Sequence, residues 1–313
     1  MLFMVMASLP AVVNQPQGRL AYEPAKLTAK IAHQSKATQP KSGNVWANGL
    51  SFAYVEGGSG TPVVLVHGSV SDYREWSAQM SPLARHYRVI AYSRRYHWPN
   101  SPPARDVDAS LERQADDLGA ILKSMGLAPA HIVGHSYGGA VALYLTLRHP
   151  ELVRTLILAE PAISSILGTL PEDDPVSRDS QAVRTEMKNV FATGDPERIV
   201  STYAARVAPG EFEQATPALR QMLLANVAAF QLDFNSRRPP ITCEDAQRVA
   251  VPVLVLYGER SPLGLRSIAE TAARCLKATK SIKIPQATHW MQHDHAEAFN
   301  AAVLAFLDRQ GKQ

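Results

Sequence analysis

Apolar residues follow two rhythms along this chain, and the two alternate from about residue 50 to the end. Residues 62–66, 88–92, 131–133, 153–159 and 251–257 are short, nearly unbroken apolar runs. Such runs are typical of strands buried on both faces of a parallel sheet. Residues 50–55 alternate apolar and polar, as a half-exposed strand does, and end at Gly57-Gly58-Ser59-Gly60. Residues 109–125 carry Leu111, Ala115, Leu118, Ile121 and Leu122 at helical spacing and stop at Gly126. Residues 139–148, 265–276 and 296–307 also read as helices, and 281–284 as a short strand. Strands alternating with helices predict an α/β fold, a mostly parallel sheet with helices on both faces.

The rhythm breaks over 162–245, which holds helical patterns at 176–193, 196–206 and 217–231, set off by Pro171, Pro175 and Pro239-Pro240. We read this interval as a helical cap inserted between core segments 43–161 and 246–313. Its apolar residues, Phe230 among them, are expected mainly to pack within the cap, with some left to line a pocket. Residues 1–42 read as a poorly ordered or surface-wrapped leader. Its first 13 residues are mostly apolar, but they lack a basic start and contain Pro10. A cytoplasmic protein is therefore expected, with secretion left open.

The net charge of +4 is spread through the chain without a basic run, so no nucleic-acid partner is expected. No apolar run is long enough to span a bilayer, so no membrane partner is expected either. Cys243 and Cys275 lack metal-ligand spacing, and two thiols are expected, a single bridge being the alternative.

The chemistry is concentrated at His131-Ile132-Val133-Gly134-His135-Ser136-Tyr137-Gly138-Gly139, a short strand, a G-x-S-x-G turn and a helix start. This is the nucleophile-elbow pattern. Only small residues fit beside the strained central serine, which accounts for Gly134 and Gly138. A serine hydroxyl needs a base to act as a nucleophile at neutral pH. Of ten histidines, His289 follows the last strand and precedes the last helix, where it can reach the sheet edge that carries Ser136. His135 is expected to pack beneath the elbow, and His293 and His295 to lie at the surface. The backbone N–H of Tyr137 and that of Ser69, in the loop His67-Gly68-Ser69-Val70, are expected to form an oxyanion hole.

In these motifs, together with residues 252–259 and Thr288-His289-Trp290, the chain resembles the α/β-hydrolase superfamily over about residues 45–310. The resemblance implies that fold and hydrolytic chemistry, with no metal or organic cofactor. It also exposes two departures. The usual triad acid is an Asp in the loop after the strand ending at Gly258, and Ser261 stands there instead. Some relatives, including certain haloalkane dehalogenases and zearalenone-type lactonases, place the acid after the strand that follows the nucleophile helix. Glu160, followed by Pro161, occupies that position, so Ser136, His289 and Glu160 are the expected triad. The second departure is Tyr92-Ser93-Arg94-Arg95-Tyr96-His97-Trp98-Pro99, where many relatives have a glycine-rich loop. Arg94 and Arg95 fit either an acidic substrate group or salt bridges with Asp106, Asp108 or Glu160, the structural use being favoured. Arg94, Trp98, Phe230 and Trp290 are the candidate substrate contacts.

The expected function is hydrolysis of a small-molecule carboxylic ester or lactone, of apolar character, through an acyl-enzyme. Ser136 excludes the chemistries of this superfamily that use an aspartate nucleophile. Carbon–carbon or thioester hydrolysis needs the same groups, and a non-catalytic ligand-binding protein is the alternative from another class.

Overall fold

The protein is described, as a computed structural model, over residues 40–103, 107–277 and 279–310. One sheet holds β1 (Lys41–Ala47), β2 (Leu50–Gly57), β3 (Pro62–Val66), β4 (Arg88–Tyr92), β5 (Ala130–His135), β6 (Val153–Ala159), β7 (Val253–Gly258) and β8 (Thr279–Ile284). The strand order is β1-β2-β4-β3-β5-β6-β7-β8. β2 is antiparallel to both β1 and β4, and every pairing from β4 to β8 is parallel.

The two-sided cover explains the unbroken apolar runs. Val64, Val66, Ile90, Ile132, Leu156 and Val255 face one layer, with the helices Leu111–Ser124, Tyr137–Arg148 and Leu263–Cys275. Val63, Leu65, Val89, Val133, Ile157 and Leu254 face the other, with Ser77–Ala84 and Ala296–Gln310. Successive strand residues point to opposite faces, so a strand covered on both sides admits a polar residue only where it is paired, as His131 is with Thr155 at 2.8 Å. Each fully buried aliphatic side chain contributes on the order of 2 kcal/mol. The centre of the sheet is therefore the frame on which the loops at its carboxyl edge are held.

The interval 162–245 is helical, as its pattern predicts. The helices Pro175–Phe191, Pro196–Val207 and Pro217–Ala225 each begin with proline at the first turn. The side chains of Asp174, Asp195 and Thr216 cap them, a start that leaves few backbone donors unsatisfied. The expected helix 217–231 is two helices, Pro217–Ala225 and Val227–Asn235. They part at Asn226, whose side chain donates to the Met222 carbonyl at 2.8 Å and to Asp72 Oδ2 at 2.7 Å. A side chain that bonds the backbone in this way competes with continued helix.

Among the longer elements, β1 and one helix have no counterpart in the sequence reading. β1 begins at Lys41, inside the segment assigned to the leader, the rest of which lies outside the described residues apart from residue 40. Its exposed side chains carry no apolar pattern, and pairing with β2 from Lys41↔Glu56 to Ala47↔Leu50 specifies it. The helix Ser77–Ala84 contains Pro82 and buries only Gln79, Met80 and Leu83.

The expectation of two thiols is corrected. Cys243 and Cys275 form a disulfide, with Cα atoms 5.1 Å apart. The short helix Cys243–Ala246, at the end of the cap interval, packs against Leu263–Cys275 of the core and brings the two sulfurs together. The bridge closes a loop with a sequence separation of 32. Replacing both cysteines by serine is expected to lower stability by about 2–4 kcal/mol, read as a lower midpoint in urea unfolding; an unchanged midpoint would mean that the bridge does not constrain the unfolded chain.

Candidate active site

β5 and β6 are parallel neighbours in register His135↔Ala159, so Ser136 and Glu160 leave adjacent strand ends at the carboxyl edge of the sheet. Ser136 has φ 51° and ψ −117°, a conformation that a side chain rarely adopts. It occupies the N-cap position of Tyr137–Arg148, yet its side chain makes no capping hydrogen bond. Its hydroxyl is therefore turned away from the helix that it precedes. A Cβ at Gly138 would lie 2.2 Å from the Val66 carbonyl oxygen, and one at Gly134 would lie 2.6 Å from that of Gly138. The two glycines are thus demanded by backbone packed against backbone.

Glu160 and His289 meet across this edge. His289 Nδ1 donates to Glu160 Oε2 at 2.5 Å, and Glu160 Oε1 accepts the Gly258 N–H at 2.8 Å. Both residues are 1% exposed. The bond at Nδ1 leaves Nε2 as the free basic nitrogen of His289. Burial, followed by the neighbouring His135, holds the imidazole below its ordinary pKa, with Glu160 opposing the shift. Ser261 is also buried, but its hydroxyl has no hydrogen-bond partner among the described residues. Glu259 is turned to Lys283 and Gln286 at the surface.

The loop after β3 is held from both sides. The Gly68 N–H donates to Glu75 Oε2 at 3.1 Å, and Arg94 Nη2 donates to the Gly68 carbonyl at 2.8 Å. Ser69, next in the chain, lines the same cavity as Ser136. The Tyr137 N–H belongs to the first turn of its helix, where N–H groups have no intrahelical acceptor. The cavity measures about 20 Å³, room for roughly one water molecule. Val70, Leu219, Met222, Leu223 and Trp290 give it apolar walls. Ser71, Glu75, His135, Tyr203, Gln292 and His293 add polar groups, and among the described residues no lysine or arginine lines it.

Three of the four candidate substrate contacts lie elsewhere. Arg94 is 1% exposed, and its guanidinium donates to Asp233 of the cap at 2.8 Å, to the carbonyls of His67 and Gly68, and to Gln114. Arg95 forms a two-point pair with Asp117, at 2.6 and 2.7 Å. Both arginines are structural, as favoured, though with other partners than expected. Arg95 meets Asp108 only at its backbone carbonyl, and Asp106 lies outside the described residues. Trp98 is 39% exposed and lies under the Arg74 guanidinium. Phe230 is buried among Phe191, Tyr203 and Phe234, as expected for internal cap packing. Trp290 alone of the four reaches the cavity.

Sequence reasoning missed Tyr203, Glu75 and His293. Tyr203 comes from the helix Pro196–Val207 and lines the cavity together with Ser136. Burial raises its pKa to about 12, so the phenol stays protonated. Nothing in the spacing of that helix marks one tyrosine as facing the core. Glu75 lies in the short turn Tyr73–Trp76 and pairs with His135 at 3.0 Å. His293, expected at the surface, faces the cavity because the last segment forms a short helix, Met291–Asp294, before the long one. Among the described residues, no group of His, Cys, Asp and Glu is arranged to hold a metal ion.

Comparison with known proteins bears on this arrangement. A family model described as alpha/beta hydrolase fold matches residues 61–296. The chain is 28% identical over 279 residues to the dihydrolipoyllysine-residue acetyltransferase component of the acetoin cleaving system of Pseudomonas putida, covering 88% of this chain and 71% of that protein. It is 28% identical over 271 residues to 2-hydroxy-6-oxo-6-(2'-aminophenyl)hexa-2,4-dienoic acid hydrolase of Metapseudomonas resinovorans, covering 84% and 90%. A thermophilic esterase from Thermogutta terrifontis superposes with a TM-score of 0.70 at 24% identity, covering 86% of this chain and 99% of the other.

An orphaned hydroxyl at Ser261 has a measurable consequence. Ser261→Ala is expected to leave stability unchanged or to raise it by up to about 1 kcal/mol, because the buried group it removes bonds to nothing. Denaturant unfolding checks this, and a loss beyond about 1 kcal/mol would mean that the hydroxyl holds a structural bond.

Proposed function

The chain belongs to the α/β-hydrolase family, and from that premise we propose that it is a serine hydrolase cleaving a carboxylic ester or lactone with an uncharged acyl group. The bond between His289 Nδ1 and Glu160 Oε2 carries this reading. It fixes the imidazole in the tautomer whose Nε2 is free, as a general base requires. In the proposed reaction His289 Nε2 takes the Ser136 proton while Oγ attacks the acyl carbon. The N–H groups of Ser69 and Tyr137 receive the negative charge that develops on the carbonyl oxygen. His289 then protonates the departing alkoxide, which leaves as the alcohol. A water molecule, deprotonated by the same nitrogen, attacks the acyl-enzyme, releases the acid and restores Ser136. Glu160 keeps its charge throughout and stabilises the imidazolium in each half.

Two observations favour a neutral ester or lactone over an acidic carbon–carbon substrate such as that named for the Metapseudomonas resinovorans relative. No lysine or arginine lines the cavity, and Arg94, the nearest buried guanidinium considered for that role, is fully engaged by Asp233, Gln114 and two carbonyls. Val70, Leu219, Met222, Leu223 and Trp290 make one part of the lining apolar, which suits an uncharged acyl chain. The cavity is smaller than any ester, so entry requires cap side chains such as Tyr203 to move aside. Among the described residues no helix is long and apolar enough to cross a membrane. The Cys243–Cys275 bridge favours an oxidising compartment over the cytoplasmic location expected from the N-terminal sequence.

A fluorophosphonate probe tests the nucleophile: wild-type protein is expected to label covalently, and Ser136→Ala is expected not to. Absence of labelling in folded wild type would sink the hydrolase reading. Glu160→Gln is expected to slow acylation at least about 100-fold, with Ser261→Ala within about twofold of wild type. The opposite ranking would move the acid to another residue. Because His289 sits below its ordinary pKa, the rate of acylation should hold up on the acid side to below pH 6.5, the ordinary histidine value. A rate that falls off above that pH would contradict the assignment of the base.

A further inference from the structure

Beneath the elbow lies a second histidine–carboxylate pair that the proposed reaction does not use. His135, the residue before Ser136, is 3% exposed, and Glu75 is 2% exposed. His135 Nδ1 lies 3.0 Å from Glu75 Oε1, and Nε2 lies 2.9 Å from the backbone carbonyl oxygen of His289. A carboxylate and a carbonyl can only accept. A neutral imidazole has one N–H and one lone pair, so either neutral tautomer would turn a lone pair on one of these oxygens. The imidazolium, with an N–H on each side, satisfies both. The Gln292 amide nitrogen also lies 3.2 Å from Nδ1, while its buried oxygen has no partner among the described residues. Half a turn of that amide brings the oxygen to Nδ1–H, so the amide follows the imidazole's protonation and does not set it.

The pair touches all three parts of the site. His135 is covalently next to Ser136 and bonds the backbone of His289, with the two rings 4.6 Å apart. The second oxygen of Glu75 holds the Gly68 N–H, so that donor is consumed and Ser69 is the next along the loop. We propose that Glu75 and His135 form a permanent buried ion pair that positions the nucleophile, the base and the oxyanion loop, and that the His135 cation keeps His289 unprotonated between turnovers. These are positioning residues, and their role in turnover rests on the hydrolase reading above.

The charges around the pair agree with this assignment. Burial draws His135 down, but Glu75, the His289 carbonyl and Glu160 together raise it above its ordinary value. Burial pushes Glu75 up, and His135, His293 and the Gly68 N–H outweigh it and lower it. His289 faces His135 on one side, with Glu160 and Glu75 opposing its effect, and His67 and His293 are further titratable neighbours of His135, His293 being held below its ordinary value chiefly by burial. His67 is itself held well below its usual range by burial and by Arg94, so it adds no charge at neutral pH.

The test has two arms. In 15N-histidine NMR of the wild-type protein at pH 8, one histidine is expected to keep both ring nitrogens protonated, and the signal is expected to vanish in His135→Gln and in Glu75→Gln. A wild-type spectrum with only neutral imidazoles at that pH overturns the ion pair, whatever becomes of the variants. In the second arm the rate of phosphonate labelling is followed against pH. His135→Gln is expected to move the acid limb to higher pH, so that its loss relative to wild type is about threefold or more greater at pH 6 than at pH 8. An equal loss at every pH would leave only a packing role and overturn the effect on His289. The NMR arm does not depend on catalysis, so wild-type protein that never labels would sink the hydrolase reading while the ion pair is still judged on its own signal.

Discussion

A carboxylate buried at the end of β6 has to be bonded on both oxygens, and much of the site follows from how this one is. An unpaired carboxylate in such a place would cost several kcal/mol. Glu160 takes the Gly258 N–H from the end of β7 on one side and the His289 imidazole on the other. The segment after β8 therefore cannot swing away without leaving the charge uncompensated. Glu160 itself has φ 42°, a strained backbone for a side chain, as has Ser136 beside it. The Ser136 N–H donates to the Ala159 carbonyl and the Ala162 N–H to that of Ser136, so backbone bonds between the two turns hold both strained residues. The strain at Ser136 and that at Glu160 are stored in one small piece of hydrogen-bonded backbone.

The helical interval 162–245 is tied to the same loops by polar contacts of comparable burial. Asp233 accepts from Arg94, Gln114 and His97, and Arg94 in turn donates to the carbonyls of His67 and Gly68. Asn226 bridges the cap to Asp72 and to the Trp98 backbone. A cap held only by apolar contacts could slide, because those contacts have no preferred register. Directional bonds to the loop after β3 instead link where the cap sits to where the Ser69 N–H points. Arg94 is spent on that link, which is why it offers nothing to a substrate.

What the sequence disclosed and what it hid divide along a physical line. Strands β3 to β7 were legible because burial on both faces leaves only apolar residues acceptable, and the elbow because backbone crowding leaves only glycine at 134 and 138. Glu160 was singled out because some relatives place an acid there, because a proline follows it at a strand end and because Ser261 cannot carry a charge; the structure bonds it to His289. β1 was not, since a strand specified by its partner's backbone needs no pattern of its own. The break at Asn226, the partners of Arg94 and the disulfide were hidden for another reason. Each joins residues brought together only when the cap closes on the core, with 139 positions between Arg94 and Asp233. Tyr203, on Pro196–Val207, and His293, on the short helix Met291–Asp294, were lost in the same way, for which face of a helix meets the cavity is decided by packing and not by local spacing.

The exchange at Ser261 can now be stated in physical terms. Glu160 starts from β6, yet its Oε1 lands on the backbone N–H of Gly258, at the end of the strand whose following loop carries the acid in the usual arrangement. The carboxylate has changed its strand of origin while still reaching the end of β7. A second carboxylate at 261 would face the first at close range in a buried setting, where like charges raise one pKa and protonate one member. A neutral residue at 261 avoids that repulsion, and the unpartnered hydroxyl of Ser261 fits a position whose bonds are already made by another residue. The missing aspartate and the glutamate on the neighbouring strand are consistent with one electrostatic constraint: the Nδ1 side of His289 is bonded by one carboxylate, that of Glu160, while the buried Glu75 is paired with His135.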